Sequence, residues 1–76
     1  MNKTTVAHLI VERLAREGIK LEFPKEYKGD ISLEHDWVFV LMKRYPNQFR
    51  EVCEEVDEMI KEGLCQFTDD GIIIYH

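Results

Sequence analysis

The run Leu64-Cys65-Gln66-Phe67-Thr68-Asp69-Asp70-Gly71-Ile72-Ile73-Ile74-Tyr75-His76 constrains this chain more than any other stretch. Asp-Gly between apolar runs is a strong hairpin signal, because both residues of a tight hairpin turn need positive φ. The expectation is two antiparallel strands, Leu64–Thr68 and Ile72–His76, joined at Asp70 and Gly71. A helix precedes them. Phe49, Val52, Cys53, Val56, Met59 and Ile60 recur at helical spacing and form one apolar stripe. Asn47 is the expected cap, the helix runs to about Glu62, and Gly63 closes it.

The N-terminal half reads as two more helices. Thr4 and Thr5 can cap a helix running to about Glu17, with Val6, Leu9, Ile10 and Leu14 on its apolar face and Ala7 and Val11 beside them. Gly18 ends it. Ile19, Leu21 and Phe23 then alternate with Lys20 and Glu22, a period of two that predicts a short strand. Pro24 stops that strand, and Lys25–Asp30 reads as a loop bending at Gly29. Ser32 is the expected cap of the next helix, which runs to about Tyr45. Glu34 and Asp36 sit in its first turn and Lys43 and Arg44 in its last, where each sign suits the helix dipole. Trp37, Val38, Phe39 and Val40 are strand formers, but the caps and flanking charges decide for helix. Pro46 ends it, since the residue before a proline is pushed out of helical angles.

The chain has 76 residues, which is one small domain, 1–76. Its longest unbroken apolar run, Trp37–Met42, is far below the ~18 residues a membrane span needs. No apolar signal segment opens the sequence, and two cysteines make no disulfide scaffold, so a reduced, cytoplasmic setting is expected, with no membrane partner. Fifteen acidic residues against ten basic ones give a formal charge of −5. That balance disfavours indiscriminate binding to phosphate.

Helix, short strand, helix, helix, hairpin is an order that resembles a winged helix-turn-helix domain. The stretch MIKEGLCQFTDDGIIIY, Met59–Tyr75, resembles the end of a recognition helix, its exit, a first wing strand, an acidic turn and a second wing strand. The resemblance covers nearly the whole chain, from Thr4 to His76. It implies an α+β, winged-helix-like fold of three helices and a small antiparallel sheet, with the last strand between the other two. A central strand covered on both faces would account for the unbroken apolar run Ile72–Tyr75.

Such domains usually lay the third helix in the major groove and the wing beside the backbone. Here both carry the wrong sign. From Arg50 to Glu62 there are six acids, Glu51, Glu54, Glu55, Asp57, Glu58 and Glu62, against two bases, Arg50 and Lys61. At ~100° per residue, the face opposite the apolar stripe is centred on Asn47, Glu51, Glu54 and Glu58. The wing tip is Asp69-Asp70. The counter-signal is a basic cluster near the joint of the last two helices: Lys43, Arg44, Asn47, Gln48 and Arg50, with Lys25 and Lys28 able to add to it.

The second helix carries more apolar residues than one face holds. Leu33, Trp37, Val40 and Leu41 line one side, Val38, Met42 and Tyr45 another, and Phe39 a third. Exposed aromatic and aliphatic surface of this kind is enriched at protein interfaces. The candidate protein-interaction residues are therefore Trp37, Phe39, Val40, Glu51, Glu54 and Glu58. The expectation is a non-enzymatic module that binds a protein as a regulator, adaptor or small inhibitor. The first alternative is a DNA-binding transcriptional regulator acting through Lys43, Arg44, Asn47, Gln48 and Arg50, as a homodimer. The second is an acidic, phage-type inhibitor that mimics DNA toward a nucleic-acid enzyme.

No catalytic, metal or cofactor set is expected. His8, His35, His76, Cys53 and Cys65 include no pair at metal-ligand spacing. Cys53 falls on the apolar stripe as a small core residue, and Cys65 shares a strand face with Phe67. His35 between Glu34 and Asp36 is explained by helix capping, Asp69-Asp70 by turn chemistry, and the four glycines by stops and turns.

Overall fold

A computed structural model of the chain describes residues 3–22, 31–69 and 71–76, with the backbone alone for the helical residues 31–35. The elements are β1 (Lys3–Thr5), α1 (Val6–Arg16), α2 (Ile31–Arg44), α3 (Pro46–Lys61), β2 (Cys65–Phe67) and β3 (Ile72–Tyr75). The chain is α+β, with three helices and one small antiparallel sheet in the order β1-β3-β2. The last strand lies between the other two, as expected.

The third strand comes from a different place than the alternation predicts. Lys3, Thr4 and Thr5 pair with Ile74, Ile73 and Ile72, so the strand precedes the first helix and does not follow it. Ile19 and Leu21 form no strand. The Ile19 N–H donates instead to the Leu14 carbonyl at 2.9 Å, closing the end of α1, while Leu21 packs half-buried on the core. Phe23, Pro24, the Lys25–Asp30 loop and the Gly29 bend lie outside the described residues, as do the side chains of Ser32, Leu33, Glu34 and His35.

Helix ends follow local chemistry. The Thr5 hydroxyl accepts from the His8 N–H at 3.2 Å, so Thr5 caps α1 and Thr4 belongs to the ladder. α2 begins at Ile31, which places Ser32 inside the helix and not at its cap. Asn47 does not cap α3 either. The cap is Tyr45, at φ −132° and ψ 64°, with no side-chain bond to the helix, and Pro46 occupies the first turn. Proline suits that turn because its missing N–H would have had no helical acceptor. Tyr45 is thus the single residue between α2 and α3. At the far ends of α1 and α3, Gly18 and Gly63 take φ of +86° and +75°. The following N–H groups of Ile19 and Leu64 reach back to Leu14 and Met59, a Schellman closure that satisfies otherwise orphaned carbonyls.

The hairpin turn is one residue longer than an Asp-Gly pair. Phe67 pairs with Ile73, and the Thr68 N–H donates to the Ile72 carbonyl at 2.9 Å, which leaves residues 69–71 as the loop. The Gly71 N–H donates to the Thr68 carbonyl at 3.0 Å with Gly71 at φ +80°. This is a three-residue hairpin loop closed by a left-handed glycine, Gly71. Asp70 itself lies outside the described residues.

Helices and sheet enclose one core: Val6, Ala7, Ile10 and Leu14 of α1, Leu41 of α2, Val52 and Val56 of α3, Cys65 of β2 and Ile73 of β3. α1 packs on both other helices. The run Ile72–Tyr75 is not buried evenly. Ile73 is fully buried and Tyr75 packs on the core, while Ile72 and Ile74 stay half-buried on the alternate face.

The two Schellman glycines give a direct test. No atom lies within 4 Å of a Cβ built on Gly18 or Gly63, so only backbone strain opposes a side chain there. Gly18→Ala and Gly63→Ala should each cost about 1 kcal/mol, with less for asparagine, read as a lower urea midpoint at unchanged slope.

Candidate functional site

α3 projects its two chemistries onto opposite sides. Val52 and Val56 are buried, and Phe49 and Met59 pack against the core, so the predicted stripe faces inward. Glu51, Glu54, Glu55, Asp57, Glu58 and Glu62 are all exposed. The stripe is wider than the contact it makes, however. Ile60 is 39 % exposed and Cys53 is only half-buried, so these two form a margin and not core.

The acidic face is partly neutralised from α1. The Arg13 guanidinium pairs with Glu51 at 3.3 Å and, through its other terminal nitrogen, with Glu55. The Arg13 side chain is 20 % exposed, against 48 % and 62 % for its partners. The bond to Glu55, opposed by burial and aided by Glu51 and Glu17, holds this guanidinium above its ordinary value. Its Nε is buried with no partner, as is Thr4 Oγ1. Close by along α3, the Gln48 amide donates to Glu17 at 2.8 Å. Glu51, Glu54, Glu55, Asp57 and Glu58 line an open hollow with Arg13 and Lys61, five carboxylates against two cations. Its volume is about 590 Å³.

The candidates at the α2–α3 joint are mostly exposed. Lys43, Arg44, Asn47 and Arg50 are exposed around the α2–α3 joint. Arg44 lies over the Tyr45 ring, 5.6 Å from its centroid, and Gln48 is taken up by Glu17. Lys25 and Lys28 lie outside the described residues.

The surplus apolar surface of α2 is divided. Leu41 is buried, and Trp37, Val38 and Tyr45 pack on the core. Phe39 and Val40 stay 58 % and 48 % exposed. A second apolar feature was not legible in the sequence. Val6, Cys53, Val56, Asp57, Ile60 and Phe67 line a cleft of about 180 Å³ between α3 and β2, with Phe67 51 % exposed. Its one signal was the width of the α3 stripe. Locating the opposite wall required the position of β2.

Titratable groups here are tuned by burial. Desolvation, reinforced by Asp57, pushes the Cys53 thiol above its ordinary value. Tyr75 is raised for the same first reason. Among the described residues no group of three or more His, Cys, Asp or Glu is placed to hold a metal ion. No helix among them is long and apolar enough to cross a membrane.

These features define an α+β domain of three helices and a three-stranded antiparallel sheet, compatible with a winged-helix-like topology. It departs from that pattern in joining α2 to α3 through one residue where a helix-turn-helix has a turn of about three or four. Compared with family models, curated proteins and solved structures, the chain has no significant match in any of the three.

Two measurements follow from this geometry. A double-mutant cycle of Arg13→Gln with Glu55→Gln should return a coupling below about 1 kcal/mol, shrinking as salt is added, because both carboxylates face water. Cys53 should alkylate more slowly than an unhindered thiol at pH 8, since a raised thiol holds less thiolate at that pH. Asp57→Asn should speed the reaction, and Cys65, buried at 3 % exposure, should react only on unfolding.

Proposed function

We propose that this domain is a non-enzymatic, winged-helix-like module that binds another protein, as a regulator, adaptor or small inhibitor. One observation carries the reading. The helix that would enter a DNA groove exposes Glu51, Glu54, Glu55, Asp57, Glu58 and Glu62, and its own cations are only Arg50 and Lys61. Duplex DNA carries about one negative charge per 1.7 Å of axis, so that face is repelled by phosphate. The exposed Phe39 and Val40 on α2, with the half-buried Trp37 of the same helix, add the apolar area that protein interfaces favour.

A non-catalytic role agrees with the state of the nucleophiles and bases. Burial and Asp57 raise the Cys53 thiol, Cys65 is buried, and His8 pairs with Glu12 one turn along its own helix at 3.3 Å. The exposed Lys43, Arg44, Asn47 and Arg50 favour a second reading, a DNA-binding regulator, but Glu17 already holds Gln48. A DNA-mimic inhibitor is a third. It is weakened by Arg13, which neutralises part of the carboxylate lattice that would imitate phosphate.

A gel-shift series on random and palindromic duplexes at low salt separates the first reading from the second. The protein-binding module should give no shift up to about 100 μM, weaker than the ordinary non-specific range. A tight shift that weakens steeply with salt, and that Arg44→Glu with Arg50→Glu abolishes, would replace it with the DNA-binding regulator.

A further inference from the structure

The acidic hollow on α3 and the apolar cleft between α3 and β2 share one side chain, Asp57. At about 180 Å³ the cleft is smaller than the ~300 Å³ at which pockets for whole small molecules begin. It is the right scale for a single apolar side chain. Its walls, Val6, Cys53, Val56, Ile60 and Phe67, carry no cation. Two of them, Ile60 and Phe67, stay 39 % and 51 % exposed, so its mouth is open to a partner.

The charge beside that mouth specifies what can enter. Glu51 and Glu55 are engaged by Arg13, which leaves Glu54, Asp57 and Glu58 against Lys61 along the hollow. An anionic segment, a nucleic acid or an anionic lipid surface meets uncompensated carboxylates there and is repelled. A cationic segment is attracted, and complementary charge also speeds its encounter.

We propose that this cleft seats one apolar side chain of a cationic protein segment, whose Lys or Arg residues lie along Glu54, Asp57 and Glu58. The proposal rests on the protein-binding reading and gives the partner its chemistry: an apolar anchor flanked by positive charge. The anchor supplies burial against Phe67 and Ile60. The flanking cations supply register, because Asp57 stands where the apolar and acidic surfaces meet. Phe39 and Val40 on α2 take no part in this contact.

A labelled peptide with one Leu between Lys residues tests this against the full chain by fluorescence anisotropy. Saturable binding is expected. It should weaken at least ~10-fold when Leu becomes Ser, when the lysines become glutamates, or in the Phe67→Ser and Asp57→Asn proteins. Both substituted residues are exposed, and an unchanged circular dichroism spectrum shows that each variant is folded. Phe39→Ser should bind like the parent, and bound peptide should slow alkylation of Cys53. The proposal is overturned if the parent does not bind. It is equally overturned if the Ser peptide binds as well as the Leu peptide, or if Phe67→Ser and Asp57→Asn leave affinity unchanged. The gel shift fails separately: DNA binding there would remove the protein-binding reading, whereas cleft-independent peptide binding removes only this assignment.

Discussion

Thr5 is the residue on which the layout turns. Its backbone ends the ladder opposite Ile72, and its hydroxyl caps α1 three residues on. Strand and helix therefore meet with no loop between them, which fixes where α1 leaves the sheet. The buried Val6, Ala7, Ile10 and Leu14 then meet Leu41, Val52, Val56 and Ile73 as a single core. A domain of this size buries only about 60 % of its unfolded surface, so it has little stability in reserve for misplacing that junction.

The surface chemistry follows from the same placement. Because α1 packs on α3, Arg13 at the edge of the α1 stripe reaches Glu51 and Glu55, and Glu17 reaches Gln48. The acidic face is therefore uneven. Part of it is spent internally, and the rest, Glu54, Asp57 and Glu58, remains for solvent or a partner. Exposed ion pairs contribute little to stability, so Arg13 matters more for which carboxylates stay uncompensated than for holding the helices together.

The hairpin contributes in a way that its apolar run does not announce. Four consecutive apolar residues suggest a strand enclosed on both faces, yet among the described residues the core meets Ile73 and Tyr75, and Ile72 and Ile74 remain half-exposed. β2 lies at the sheet edge, and its face alternation sends Cys65 into the core and Phe67 beyond it, over the margin of α3. One wall of the cleft is therefore a residue of the edge strand β2 and the other is the outer margin of a helix stripe.

Local physics made much of this protein readable from its residues: three helices, left-handed glycines at 18, 63 and 71, a hairpin at the C-terminus, and glutamates turned outward on the third helix. Each depends on neighbours within one turn, so apolar periodicity and glycine chemistry suffice, although the starts of the second and third helices did not follow the expected caps Ser32 and Asn47. The origin of the third strand did not follow, because Lys3-Thr4-Thr5 is too short and polar to show alternation, whereas Ile19-Lys20-Leu21 shows it without finding a partner. Nor could spacing reveal that Arg13 offsets Glu51 and Glu55, or that Cys53, Ile60 and Phe67 share a cleft. Those relations join residues far apart in the chain, and they exist only once the core has decided which faces meet.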